Sequence, residues 1–167
     1  MKKIIFAIVL AAALIVSCNS RERPAQTEAR GAAQIITESR NFSDVIGREW
    51  KLIEVRINGE NTGFSRDTVG DAFREAFTLR FDAAEMVSGT GAPNLYSAPY
   101  SLGENQSIRI MMMRSTMMAS IFEPEGLSEF DFFNYVQNTS YWSLTGGRLN
   151  LHSTSGDDEV VLIFAAN

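Results

Sequence analysis

Three residue types in this chain could do chemistry: one cysteine, one histidine and a dense group of methionines. Cys18 and His152 lie at opposite ends of the sequence, so the body of the chain has no thiol for a cysteine–histidine nucleophile pair. A serine nucleophile beside His152 would need a strained turn such as Gly-x-Ser-x-Gly to expose it, and no such motif occurs. His152 follows Leu151 in a strand-like stretch and reads as a structural or solvent-facing imidazole. Asp157-Asp158-Glu159 offers carboxylate oxygens without the alternating Asp/Asn spacing of a calcium loop, and reads as a solvated hairpin tip. Glu123, Glu125, Glu129 and Asp131 read as the acidic start of a helix, where the backbone dipole favours negative charge. The expectation is a protein without catalysis, cofactor or metal.

Met111, Met112, Met113, Met117 and Met118 hold five of the seven methionines. Thioether side chains fill irregular gaps, so packing beneath a helix is one reading, and an adaptable apolar surface for a peptide or lipid is the other. Soft thioethers would also favour copper(I), but successive residues of a strand point to opposite faces and no Cys or His stands nearby, which counts against it. With Trp50, Tyr96 and Trp142, the residues Met111, Met113 and Met117 form the expected ligand or partner surface.

The elements that must position these residues begin after the first seventeen. Lys2 and Lys3 precede an apolar run from Ile4 to Val16, too short for an ordinary span of ~20 residues and ordered like an export signal. Ile15-Val16-Ser17-Cys18 resembles the bacterial lipobox. That resemblance implies acylation of the Cys18 thiol, cleavage before it, and attachment to a membrane by palmitate-class chains without crossing it. Two or three chains anchor firmly at ~0.8 kcal/mol per buried methylene. No disulfide can form with a single cysteine.

Residues 18–44 read as a lipidated N-terminus and tether, poor in large apolar residues and nearly balanced in charge. Residues 45–167 have the size of one domain. Removing Lys2 and Lys3 with the signal leaves thirteen basic against twenty acidic residues, a formal charge of −7. Nucleic acid is excluded as a partner on that balance. A membrane through the anchor and an envelope protein are the expected partners, and the chain is expected to be a monomer.

Period-two patterning predicts mostly strands: Trp50–Ile57 ending at the turn Asn58-Gly59, Ala76–Asp82, Met86–Gly89, Tyr96–Leu102, Ser107–Met113, Thr139–Leu144, Arg148–Ser153 and Glu159–Phe164. Asn61 to Val69 reads as polar and turn-like, and Gly89 to Tyr96 as a loop. In Ser107–Met113, Ile108, Ile110 and Met112 are expected on one face, with Arg109, Met111 and Met113 on the other. Ser128 reads as the N-cap of a helix whose apolar face is Phe130, Phe133, Tyr135 and Val136. That helix should pack on the sheet.

Gly47-Arg48-Glu49-Trp50-Lys51-Leu52, Phe77–Phe81, Val87-Ser88-Gly89 with Asn94 and Tyr96, Met117–Ser120, the Phe130/Phe133 helix and Gly147–Leu151 together resemble the META domain, which includes the HslJ-like heat-shock-inducible lipoproteins. The resemblance implies an α+β fold, one small domain whose curved antiparallel β-sheet packs on one or two helices. It also implies a loose association with stress tolerance and antibiotic resistance, and no reaction. Cysteine-bearing relatives can join the loop at Ala92-Pro93-Asn94 to the segment at Ser120 by a disulfide; here both cysteines are absent, so any approach must be non-covalent. The body would then be a non-enzymatic envelope module or, alternatively, a carrier of a small apolar ligand or lipid, with the aromatic residues and methionines around a cavity. Bacterial sorting by Asn19 would permit the outer membrane or periplasmic face. Changing Cys18→Ala should leave unprocessed precursor in the cell, detected as a mass increase of the full signal and loss of acyl labelling.

Overall fold

Asn58 and Gly59, both at positive φ, turn β2 (Trp50–Ile57) back into β3 (Glu60–Ser65). Gly146 and Gly147 do the same between β9 (Tyr141–Thr145) and β10 (Arg148–Ser155). Paired positive-φ residues match the twist of two antiparallel strands, which is why Asn-Gly and Gly-Gly occupy these corners. The computed structural model describes residues 38–119 and 122–167. Besides three single-turn 3-10 helices at Phe42–Asp44, Arg66–Thr68 and Asp71–Phe73, the remaining elements are β1 (Glu38–Ser39), β4 (Thr78–Phe81), β5 (Met86–Thr90), β6 (Leu95–Leu102), β7 (Ile108–Ile110), β8 (Arg114–Ser115), α1 (Glu129–Gln137) and β11 (Asp158–Ala166). The domain is mostly β, with one α-helix among the described residues. Among the described residues no helix is long and apolar enough to cross a membrane.

All pairings are antiparallel, in the order β1-β9-β10-β11-β2-β4-β5-β6-β7, with β3 beside β2 and β8 beside β6. The far end returns to the near one. Ser107 bridges Tyr141, the Ile108 amide donates to the Ser140 carbonyl at 3.0 Å, and the Trp142 amide donates to the Gln106 carbonyl at 3.0 Å. The sheet thus curls until β7 meets β9.

One edge of β2 is divided between β4, at Trp50 and Lys51, and β3, from Glu54 onward. Arg66 occupies the division, its Nε donating to the Leu52 carbonyl at 2.8 Å and its Nη2 to the Phe77 carbonyl at 3.2 Å. Desolvation there pulls the Arg66 pKa below its ordinary value. Phe77 sits just before β4 in the left-handed region, at φ 54°. Its carbonyl also accepts from the Leu52 amide, and its own amide donates to Gly91, so neighbouring backbone holds the conformation.

Inside the curl the core is aromatic. Phe42 packs edge-on to Phe81 and Trp142, with centroids 5.1 and 4.9 Å away, and Phe81 does the same with Tyr100 at 5.0 Å. Phe132 of α1 reaches Phe77 at 5.2 Å and Tyr96 at 5.9 Å. The Trp50 indole N–H donates to the Val45 carbonyl at 3.0 Å, giving that buried ring its polar partner.

Several expectations change. Ordered structure starts before residue 45: β1 pairs with β9, and Phe42, assigned to the tether, is a core residue. The Asn61–Val69 stretch holds all of β3 but its first residue, an edge strand hidden by its polarity because only Phe64 is buried. The strand expected through Met113 stops at Ile110. On the helix, Phe130 is 73% exposed and Phe132 is buried. The inward face is Glu129, Phe132 and Val136, with Phe133 partly buried, at spacings i, i+3, i+7 and i+4; Tyr135 is buried beside it as expected, and the face begins with a carboxylate.

Phe132→Ala should destabilise the domain by about 3–5 kcal/mol, because three aromatic neighbours would border the vacated volume. Phe130→Ala should change stability by less than about 0.5 kcal/mol. Urea unfolding followed by tryptophan fluorescence compares the two.

Candidate functional site

Gly91 lets the loop between β5 and β6 lie against the start of α1. The Ala92-Pro93 bond is cis, and at Gly91 a Cβ would lie 2.5 Å from Glu129 Oε1 and 2.7 Å from Phe133 Cζ. Only glycine allows that approach. Glu129 is 8% exposed and is the first residue of the helix, next to the N-cap Ser128, whose Oγ accepts from the Asp131 amide at 3.0 Å. Its Oε1 accepts from the amides of Ala92 and of Asn94, the latter at 2.7 Å, and its Oε2 accepts from Asn94 Nδ2 at 2.6 Å. A buried carboxylate is tolerable with that many donors and with the positive end of a helix beside it.

Asn94 passes the constraint on. Its Nδ2 donates to the Met118 carbonyl at 2.9 Å, and its Oδ1 accepts from the Met118 amide at 2.7 Å and from Thr116 Oγ1 at 2.8 Å. The side-chain amide therefore pairs with Met118 as a strand would. The expected approach of this loop to the Met117–Met118 segment is made by hydrogen bonds, not by packing alone.

The segment from Met111 to Met118 forms a strap over β6. Tyr100 pairs with Ile110 and Ser97 with Arg114, so Met111, Met112 and Met113 oppose only Ala98 and Pro99. This bulge of one extra residue reverses which side chains face inward. Met113 packs partly against the core and its amide donates to Gln137 Oε1 at 3.1 Å, whereas Met112, expected beside Ile108 and Ile110, is 81% exposed. Met111 and Met118 are also exposed, and Met117 is 98% exposed.

Two of the grooves that flank the strap are lined by its methionines. One of about 360 Å³ is lined by Met86, Ser97, Pro99, Met111, Met112 and Arg114. The other, about 710 Å³, lies where β7 diverges from the end of α1, between Arg109, Met111 and Met112 on one side and Gln137, Asn138 and Thr139 on the other.

The residues expected to share one surface are separated. Met111 and Met117 face solvent and Met113 is half-buried. Trp50, Tyr96 and Trp142 are core residues, because the curled sheet turns them inward. Tyr96 Oη donates to the Thr78 carbonyl at 2.9 Å, and burial pushes its pKa far up. Exposed Leu95 and Phe130 were missed; on β6 and α1 they fall on the outward faces, a placement that depends on register. Cys18 lies outside the described residues.

His152 is half-buried on the outer face of β10, edge-on to Tyr141 at 5.2 Å, with Nε2 3.5 Å from Ser143 Oγ. Desolvation pulls its pKa below the usual imidazole value. It lines neither groove. Asp158 Oδ1 accepts from Asn58 Nδ2 at 2.7 Å, tying the acidic hairpin to the β2–β3 turn. Among the described residues, no three His, Cys, Asp or Glu side chains converge as metal ligands would.

The model of the META domain family matches residues 43–166. Among solved structures, the fold is similar to that of a protein from Burkholderia xenovorans, at 19% identity and a TM-score of 0.54, over 74% of this chain and 83% of that one. A DUF4847 family protein from Bacteroides vulgatus is similar at 13% identity and a TM-score of 0.52, over 75% and 96%. Among curated proteins, none matches this chain.

Glu129→Gln would set an amide N–H or a neutral oxygen where three donors now converge. It should cost about 1.5–3 kcal/mol, the usual worth of hydrogen bonds to a charged group. Hydrogen exchange should quicken at Asn94 and Met118 and remain slow across β10 and β11.

Proposed function

The chain belongs to the META domain family, and from that premise we propose a non-enzymatic, membrane-anchored envelope lipoprotein whose domain is an interaction module serving stress tolerance. Acylation at Cys18 provides the anchor, and the α+β, HslJ-like body, a monomer, is held at the outer membrane or the periplasmic face. The observation that carries the interaction role is the division of the apolar side chains. Trp50 and Trp142 are enclosed by core neighbours, while Met111, Met112, Met117, Met118, Leu95 and Phe130 face solvent.

Such a surface suits a protein partner. Exposed apolar side chains on a backbone fixed by hydrogen bonds supply contact area at little ordering cost, and methionine adapts to varied shapes. A carrier would need the aromatic residues around an internal cavity, and Phe42, Phe81, Tyr100 and Trp142 instead fill space against one another. The acidic balance of the chain argues against nucleic acid.

A photo-crosslinking amino acid placed at Met117 or Phe130 of the full chain in living cells tests this. One discrete envelope protein should be captured at these positions and not at exposed Thr154 near the end of β10. Equal capture at all three positions, or capture of lipid alone, overturns the reading.

A further inference from the structure

The geometry points to a copper(I) site in the smaller groove, formed by the thioethers of Met86, Met111 and Met112. Met86 pairs with Pro99 across β5 and β6, and the Met111 amide donates to the Pro99 carbonyl at 2.8 Å from the opposite side. Met86, Pro99 and Met111 therefore form one lateral row on the same face of the sheet. Two strand spacings, about 10 Å, separate the backbones of the two methionines. Each flexible stem can lean inward over the low proline ring, so both sulfurs can reach a common point above it.

The third donor comes from the bulge. In a regular strand Met112 would face away from Met111, which was the argument against copper in the sequence. With three residues opposing two, Met111 and Met112 line the same groove. Ser97 and Pro99 form its floor and Arg114, paired with Ser97, closes one end.

This donor set is selective. Three neutral, polarizable sulfurs match a soft monovalent ion, whereas no carboxylate or imidazole lines the groove to hold zinc or calcium, and Arg114 opposes a doubly charged ion electrostatically. Thioethers carry no proton at physiological pH, so binding would not compete with protons as it does at thiolate or imidazole sites. The site shares Met111 and Met112 with the exposed surface assigned above to a partner, but copper(I) binding by the chain alone does not require that partner.

The test is titration of the full chain carrying Cys18→Ala, which removes the only thiol, with copper(I) held by a chromophoric chelator. One ion per chain should bind, with affinity unchanged between pH 7 and pH 5, displaced by silver(I) and not by zinc(II). Met86→Leu and Met112→Leu should each lower affinity at least about tenfold, since leucine preserves volume without the sulfur. Met117→Leu and Met118→Leu should leave it unchanged. X-ray absorption of the loaded parent should show a sulfur-only shell. No binding, binding lost at pH 5, an oxygen or nitrogen shell, or equal losses in the Met117 and Met118 variants overturns the site.

Discussion

The buried carboxylate of Glu129 organises the face of this domain on which the loop before β6 meets α1. Glu129 stands where a helix begins and where a loop turns between two strands, and its two oxygens take donors from that loop. Charge removed from water is costly unless every lone pair finds a partner, so the loop has little freedom. Its conformation, the absence of a side chain at Gly91 and the placement of Asn94 all answer to this requirement. Asn94 then fixes the backbone of the strap, and the exposed methionines stand on a segment whose path is set by a group beneath it.

The same economy explains how a short helix contributes to a large sheet. The helix has nine residues and little intrinsic stability at that length. It is held by Phe132 and Val136 in the core and by Glu129 at its start, so tertiary contacts supply what propensity does not. Interior and surface thereby receive different apolar residues. Aromatic rings, rigid and large, fill the curl of the sheet, and flexible thioethers remain outside on the bulged strand.

Much of the sheet was legible in the chain. Trp50–Ile57 matches β2, and the last three strands lie within a residue or two of their expected bounds, because alternation and glycine turns both point to them. Misreadings arose where tertiary partners override pattern. Polar β3 reads as a turn until β2 is seen to pair with it. The apolar face of the helix was assigned from Phe130 because a carboxylate at an inward position breaks the hydrophobic count. The strap defeated period-two logic through one extra residue, which no composition signals. Ser128 as N-cap and the non-covalent loop approach were readable from residue types; that Asn94 would make the connection was not.

The closure between β7 and β9 has a consequence for behaviour in a crowded environment. A sheet that ended in two long open edges would present unpaired backbone groups to any neighbouring copy. Here the edge of β9 is covered by β1 and by the Gln106–Ile108 segment, β1 and β8 are only two residues long, and β3 carries Glu60, Asn61 and Thr62. Where copies of the domain meet often, these short or polar edges give strand-to-strand aggregation little to build on.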